Sequence, residues 1–229
     1  YTVGRQGKRG TDSRKEMKCS RLLPVLASGL LFYLAAPGAL WAVTPAAGLA
    51  LESGRSVYPV RNVQVIVDLQ KTLSVDELRR LEALGKAPWR RTEKLNFGYS
   101  QARYWLKVEI VNVSAAEQDW VLEFGYPMIQ VLHVHRFDGA AEAASWLTGR
   151  LDPFGSRPIA YRNFLFKFSS WKGSRTVFYL MLESSGTVLA PMTVYSQREF
   201  LGRSTKTTAG IGVYCGVILA MVLFNFFLL

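Results

Sequence analysis

Histidine and cysteine are nearly missing from this chain, with two of each in 229 residues. Cys19 precedes one apolar run and Cys215 lies inside another, so the segment 43–205 contains no cysteine. That segment therefore has no disulfide and no thiolate metal site, and its core alone must stabilise it. A domain of about 160 residues is long enough, burying roughly 70% of its unfolded surface. His133 and His135 share one face of a strand-like run, with no Asp or Glu alternating beside them. They read as two outward-facing histidines rather than metal ligands. The chain also lacks a Gly-x-Ser-x-Gly elbow, an HExxH helix, a Walker loop and a dinucleotide fingerprint. Asp119, Glu123, Asp138, Glu142 and Asp152 are present, but their spacing selects no acid/base pair. The expectation is a segment that is not an enzyme, with no cofactor, no metal and no catalytic residue.

Acidic residues are scarce too: 17 Asp and Glu against 28 Lys and Arg, a formal charge of +11. Seven basic and two acidic residues lie at or before Arg21, so +5 belongs to that end and +6 to the rest. The remainder is scattered as Arg79 and Arg80, Arg90 and Arg91, Arg203 and Lys206. No basic stripe interleaves with aromatics, so nucleic acid is not an expected partner.

Two uncharged runs are prominent. Ile211 to Leu229 nearly spans a ~30 Å hydrocarbon core at ~1.5 Å per residue. This run implies the front end of a longer membrane protein, with a truncated first transmembrane helix over 209–229. The other run, Leu22 to Ala50, follows Lys18 and Arg21 and is broken by Pro37 and Gly38. It reads as a signal peptide over 17–42, cleaved after Ala42, with an uncleaved anchor as the alternative. Residues 1–16 read as mistranslated upstream sequence. Residues 43–205 are then an extracytoplasmic domain. Gly212 and Gly216 form a Gly-x-x-x-Gly, the spacing of a helix-packing face.

The exported segment has the periodicity of short strands. Val63–Leu69 is β-branched, and in Tyr104–Asn112 Leu106, Val108 and Ile110 alternate with Lys107 and Glu109. Trp120–Phe124, Met128–Phe137, Arg162–Phe168, Thr176–Leu182 and Met192–Tyr195 continue the pattern, with turn residues between them. One helix interrupts it: Ser74 and Glu77 form a capping box ahead of Val75, Leu78, Leu81 and Leu84. The expected fold is mainly β, an antiparallel jelly-roll-like sandwich with an N-terminal signal helix and a C-terminal transmembrane helix.

Aromatics remain as carriers of function. Trp89, Tyr104, Trp105, Trp120, Tyr126, Trp146, Tyr161 and Trp171 are dense for a domain of this size. Rings on a sandwich face or rim stack on sugars, and Arg103, Gln101 or Asn163 would fix orientation. Strand alternation puts Tyr104 and Trp105 on opposite faces, so one of them is expected outside the core. The candidate ligand-binding residues are Trp105, Lys107, Arg103, Tyr126, Trp146 and Tyr161.

Three stretches carry a resemblance: Leu95-Asn96-Phe97-Gly98-Tyr99-Ser100, Tyr104-Trp105-Leu106-Lys107, and Asn112 followed by Trp120-Val121-Leu122-Glu123. Together with Tyr179–Gly186 and Pro191–Val194, they resemble extracellular domain 2 of bacterial seven-transmembrane receptors with diverse intracellular signalling modules. Gly210–Asn225 resembles the first of that family's seven helices, so the likeness covers residues 58 to 229. It implies a jelly-roll fold similar to carbohydrate-binding modules and a role in sensing a periplasmic ligand. It also implies output through a cytoplasmic histidine kinase or diguanylate cyclase. Lys107 stands where the family commonly has Arg, which replaces a bidentate fork with a point charge. The expected partners are a small ligand of glycan type, the membrane, and a homo- or hetero-dimeric sister receptor. The expected location is the bacterial inner membrane, with 43–205 in the periplasm. Two competing readings are a protein-interaction module and a membrane-anchored glycan-processing enzyme. The segment from Phe200 to Thr208 is the expected coupling link between sandwich and membrane.

Overall fold

A computed structural model describes residues 48–114 and 118–228. The leader over 1–16, the signal segment over 17–42 and the cut after Ala42 lie outside the described residues.

Strand β6 (Arg103–Asn112) organises the larger sheet. Its alternation sends Tyr104, Leu106, Val108 and Ile110 into one core, where each is at most 7% exposed. On one edge β6 pairs with β11 (Arg175–Glu183), which pairs in turn with β8 (Val131–Asp138) and then β9 (Ala141–Thr148). On its other edge it pairs with β3 (Val63–Asp68), which carries β4 (Arg90–Thr92), and, further along, with β1 (Leu49–Leu51). All these pairs are antiparallel except β1 with β6, a parallel exception to the expected pattern. The second sheet runs β10 (Phe164–Ser170), β7 (Gln118–Phe124), β13 (Met192–Ser196), β2 (Val57–Pro59). Strands β5 (Asn96–Tyr99) and β12 (Thr187–Leu189) form a separate two-stranded ribbon. The result is a jelly-roll-like β-sandwich, as the sequence pattern implied.

Phe124, Phe164, Phe166, Phe178, Trp120, Leu106, Leu122 and Leu132 fill the space between the sheets. Each such side chain, fully buried, stabilises by about 1.5–3 kcal/mol. Strand β11 is buried along nearly its whole length, because both of its faces are covered. Its second cover is helix α1 (Val75–Ala83), which lies on the outer face of the larger sheet. Ser74 caps α1 by accepting from the Glu77 amide at 3.3 Å. The helix stops at Gly85, whose φ of +64° only glycine adopts without strain. There Lys86 N–H donates to Leu81 and Gly85 N–H to Glu82, closing the last turn. Val75 and Leu78 point down onto Ile66 and Trp105.

Strand β13 passes straight into α2 (Gln197–Leu228), with Ser196 Oγ accepting from the Glu199 amide. The helix thus starts twelve residues before the expected 209 and includes the expected coupling link from Phe200 to Thr208. Nothing between Gln197 and Thr208 breaks a helix, and Thr205 and Thr207 return their hydroxyls to carbonyls one turn back.

Candidate functional site

The outer face of the larger sheet carries most of the domain's polar chemistry. Arg103, Trp105, Lys107 and Glu109 point outward from β6, beside Met181, Tyr179 and Val177 on β11 and His133, His135 and Phe137 on β8. Helix α1 crosses this face and leaves a cleft of about 400 Å³ along its flank. Glu82 of α1 bridges the cleft floor, accepting from Lys107 Nζ at 2.8 Å and from the Tyr179 hydroxyl at 2.7 Å. Arg79 lies over the Phe137 ring at 4.0 Å and donates to the Ala140 carbonyl. Burial, reinforced by the bond to the Glu82 carboxylate, pushes the Tyr179 phenol well above its ordinary value, so it stays a donor. The cleft therefore offers three cations, Arg79, Lys107 and Arg175, with one carboxylate and a phenol along an aromatic wall of Phe137 and Tyr179. Such a set can orient a polar ligand by hydrogen bonds.

Two neighbouring groups share this face. Arg103 donates to Glu183 Oε2 and to the Lys71 carbonyl, and Lys71 pairs with the same Glu183. Burial alone would raise the Glu183 carboxyl, but bonds from Lys71 and Arg103 outweigh it and hold the group below its usual range. At the β8–β9 edge the His133 and His135 rings stand 3.9 Å apart. His135 Nδ1 is 2.7 Å from Glu142 Oε1, and His133 Nε2 is 3.0 Å from Ser145 Oγ. The two histidines share a face as expected, but His135 is buried at 7% exposure, not outward-facing. Burial lowers the His133 pKa, and the neighbouring His135 lowers it further. Among the described residues no three His, Cys, Asp or Glu side chains gather in a way that would hold a metal.

The six candidate residues do not converge. Arg103, Trp105 and Lys107 lie in one row on β6, and only Lys107 lines the cleft. Trp105 is 2% exposed beneath α1, with its indole N–H buried and unpaired among the described residues. The expectation that Tyr104 or Trp105 lies outside the core therefore fails: each is buried, in a different core on each side of the sheet. Trp146 faces the sandwich interior against Phe166, and Tyr126 packs on the rim of the same core. Tyr161 sits on the outer face of the smaller sheet, edge-on to Phe200 of α2 at 5.2 Å. Sequence reasoning missed Glu82, Tyr179 and Arg79. The signal for Glu82 was available, since it falls one turn after Leu78 on the sheet-facing side of a helix already recognised.

The motif residues prove architectural. Gly98 adopts φ +70°, its amide donating to Asn96 Oδ1, and Ser100 Oγ accepts from both the Ala102 amide and the Tyr104 hydroxyl. Asn112 is fully buried; it donates to the Ser170 carbonyl at 2.8 Å and accepts from the amide and hydroxyl of Ser114. It ties the end of β6 to β10.

The family model of the 7TMR-DISM extracellular 2 domain matches residues 61–196, more than half of the chain. The chain belongs to this family. In this 7TMR-DISM domain the glycine, serine and asparagine of the shared motifs hold turns and sheet ends, while the Trp-Leu-Lys strand forms the floor under α1. The match identifies an extracellular domain of a transmembrane receptor family, and α2 behind it is long and apolar enough to cross a membrane. No curated protein matches the chain.

Among solved structures, a Bacillus thuringiensis Cry1Da tryptic core variant aligns at TM-score 0.33 and 11% identity, over 66% of this chain and 25% of that one. A family 35 carbohydrate-binding module from Clostridium thermocellum aligns at 0.28 and 7%, over 61% and 92%. The GH31 α-xylosidase from Xanthomonas citri aligns at 0.31 and 12%, over 62% and 17%. The chain thus corresponds to a quarter or less of the first and third of these proteins.

Proposed function

We propose that the sandwich is the ligand-sensing front end of a transmembrane signalling receptor. It binds rather than catalyses, it takes a carbohydrate or related small polar molecule, and it resides in the periplasm on the bacterial inner membrane. The cleft beside α1 is the proposed binding site, with Lys107, Glu82 and Tyr179 contacting the ligand. The observation that carries this reading is the Glu82 bridge. It places three hydrogen-bonding side chains in one open cleft against aromatic rings, the composition that suits a saccharide. Signal would leave through β13 and the first turn of α2, which is seated on the smaller sheet by Phe200. A ligand shifts the receptor only if it binds its two states unequally.

The test is binding of the full chain, in nanodiscs, to a glycan array with cell-wall and exopolysaccharide fragments. Saturable binding that weakens about tenfold in Tyr179→Phe, which removes one hydroxyl, supports the cleft. No glycan bound by the folded chain overturns the carbohydrate reading. A second reading is pairing with a sister receptor. It is favoured by β9, the edge strand of the larger sheet, with Leu147 56% exposed on it and Leu151 65% exposed beyond it.

A further inference from the structure

A second concavity, on the opposite edge of β6 from β11, has a different chemistry. Strand β3 pairs with β6 over Arg103–Lys107, and β1 pairs with it over Ile110–Asn112. Val108 and Glu109 lie between these two stretches of β6, and neither has a register partner in β1 or β3. Beside them lies a groove of about 570 Å³, floored by β6 and walled by Leu49 and Ala50 on one side and Pro59 to Asn62 on the other. Its volume lies within the roughly 300–1,000 Å³ of small-molecule sites.

The groove is lined by three arginines and one carboxylate. The carboxylate, Glu109, is already neutralised: Arg175 of the neighbouring strand β11, which also lines the α1 cleft, reaches both of its oxygens, each at 2.7 Å. Arg55, Arg61 and Arg91 are exposed, and among the described residues none makes an ion pair with a carboxylate. Arg55 is steadied over the Tyr58 ring at 4.8 Å, with its Nε donating to the Val57 carbonyl. Three exposed arginines thus line one groove, none of them in an ion pair among the described residues. Guanidinium is planar and matches carboxylate in a two-bond fork. The groove also presents the Asn62 amide, which suits hydroxyls. No exposed aromatic ring lines it, since Tyr58 is 2% exposed. Recognition there would run on charge and hydrogen bonds, not on ring stacking.

We propose that this groove is a second binding site, separate from the α1 cleft, and that it takes an acidic oligosaccharide through its carboxylates. The experiment uses the full chain in nanodiscs made of neutral lipid. A defined oligogalacturonate is titrated, with the neutral oligosaccharide of the same length and inorganic phosphate as comparisons. The variants are Arg61→Gln with Arg91→Gln, and the remote charge control Lys172→Gln, all exposed positions. The expected result is oligogalacturonate binding that falls at least about tenfold in the double arginine variant and is kept in Lys172→Gln. It should also weaken as salt is raised from 50 to 300 mM, on the order of severalfold. Equal binding by wild type and the double variant overturns the proposal, as does no binding by wild type. Tighter retention of phosphate than of the uronate overturns the saccharide assignment. Neutral-glycan binding that survives the double variant reports on the α1 cleft alone, so the two sites fail or stand separately.

Discussion

At the level of single residues, the domain shows how a strand can be buried on both sides. Trp105 looked like a surface ring because Lys107 and Glu109 share its face, yet α1 folds back and covers it. Replacing it with Ala should cost about 3–5 kcal/mol, the scale of a large core deletion. Urea denaturation of the full chain would show this, and a change under 1 kcal/mol would mean the ring is not packed as described. His133 supplies a pH dependence. Burial and the neighbouring His135 depress its pKa from the ordinary 6.5, so the unfolded chain binds more protons between the folded value and 6.5. Stability should therefore be full above 6.5 and fall as pH drops through that window. Thermal melts from pH 8 to 5 should show a shallower fall in His133→Gln than in wild type; identical slopes would remove His133 as the cause.

Among elements, what was legible depended on length and contrast. The capping Ser74, the leucines after it and the stop at Gly85 fixed α1, and strict alternation fixed β6. Strand β9 escaped notice because Ala141-Glu142-Ala143-Ala144 has low strand propensity, and an edge strand hides few side chains. Strands β1, β2, β4 and β12 have three residues each, too few to show a period. The α1 cleft was half visible. Lys107 is legible in the sequence, but Glu82 bonds to it across 25 residues and Tyr179 bonds to Glu82 across 97. The early start of α2 was hidden by the polarity of Gln197–Thr208, which marks solvent rather than the absence of a helix. Its first turn is held by Phe200 against Tyr195 and Tyr161. Phe200→Ala should raise amide exchange over 197–208 at least about tenfold while the β6 and β11 amides stay protected. Unchanged exchange would show that the seat contributes nothing.

For the whole molecule, the division between solvent and membrane falls inside one helix. The apolar part of α2 begins near Ile211, and the residues before it form a polar stalk. In a Cys19→Ser background reconstituted in nanodiscs, a membrane-impermeant maleimide should label Thr205→Cys and leave Cys215 unlabelled. Fast labelling of Cys215 would place that residue outside the bilayer. The absence of any hinge between β13 and α2 has a mechanical consequence. A rod of 32 residues is about 48 Å long. Rocking it by about 5° at its Phe200 pivot would sweep the far end, about 42 Å away, sideways by about 4 Å. The stiff junction acts as a lever arm, and a displacement of about 0.4 Å at its base arrives roughly ninefold larger at its far end.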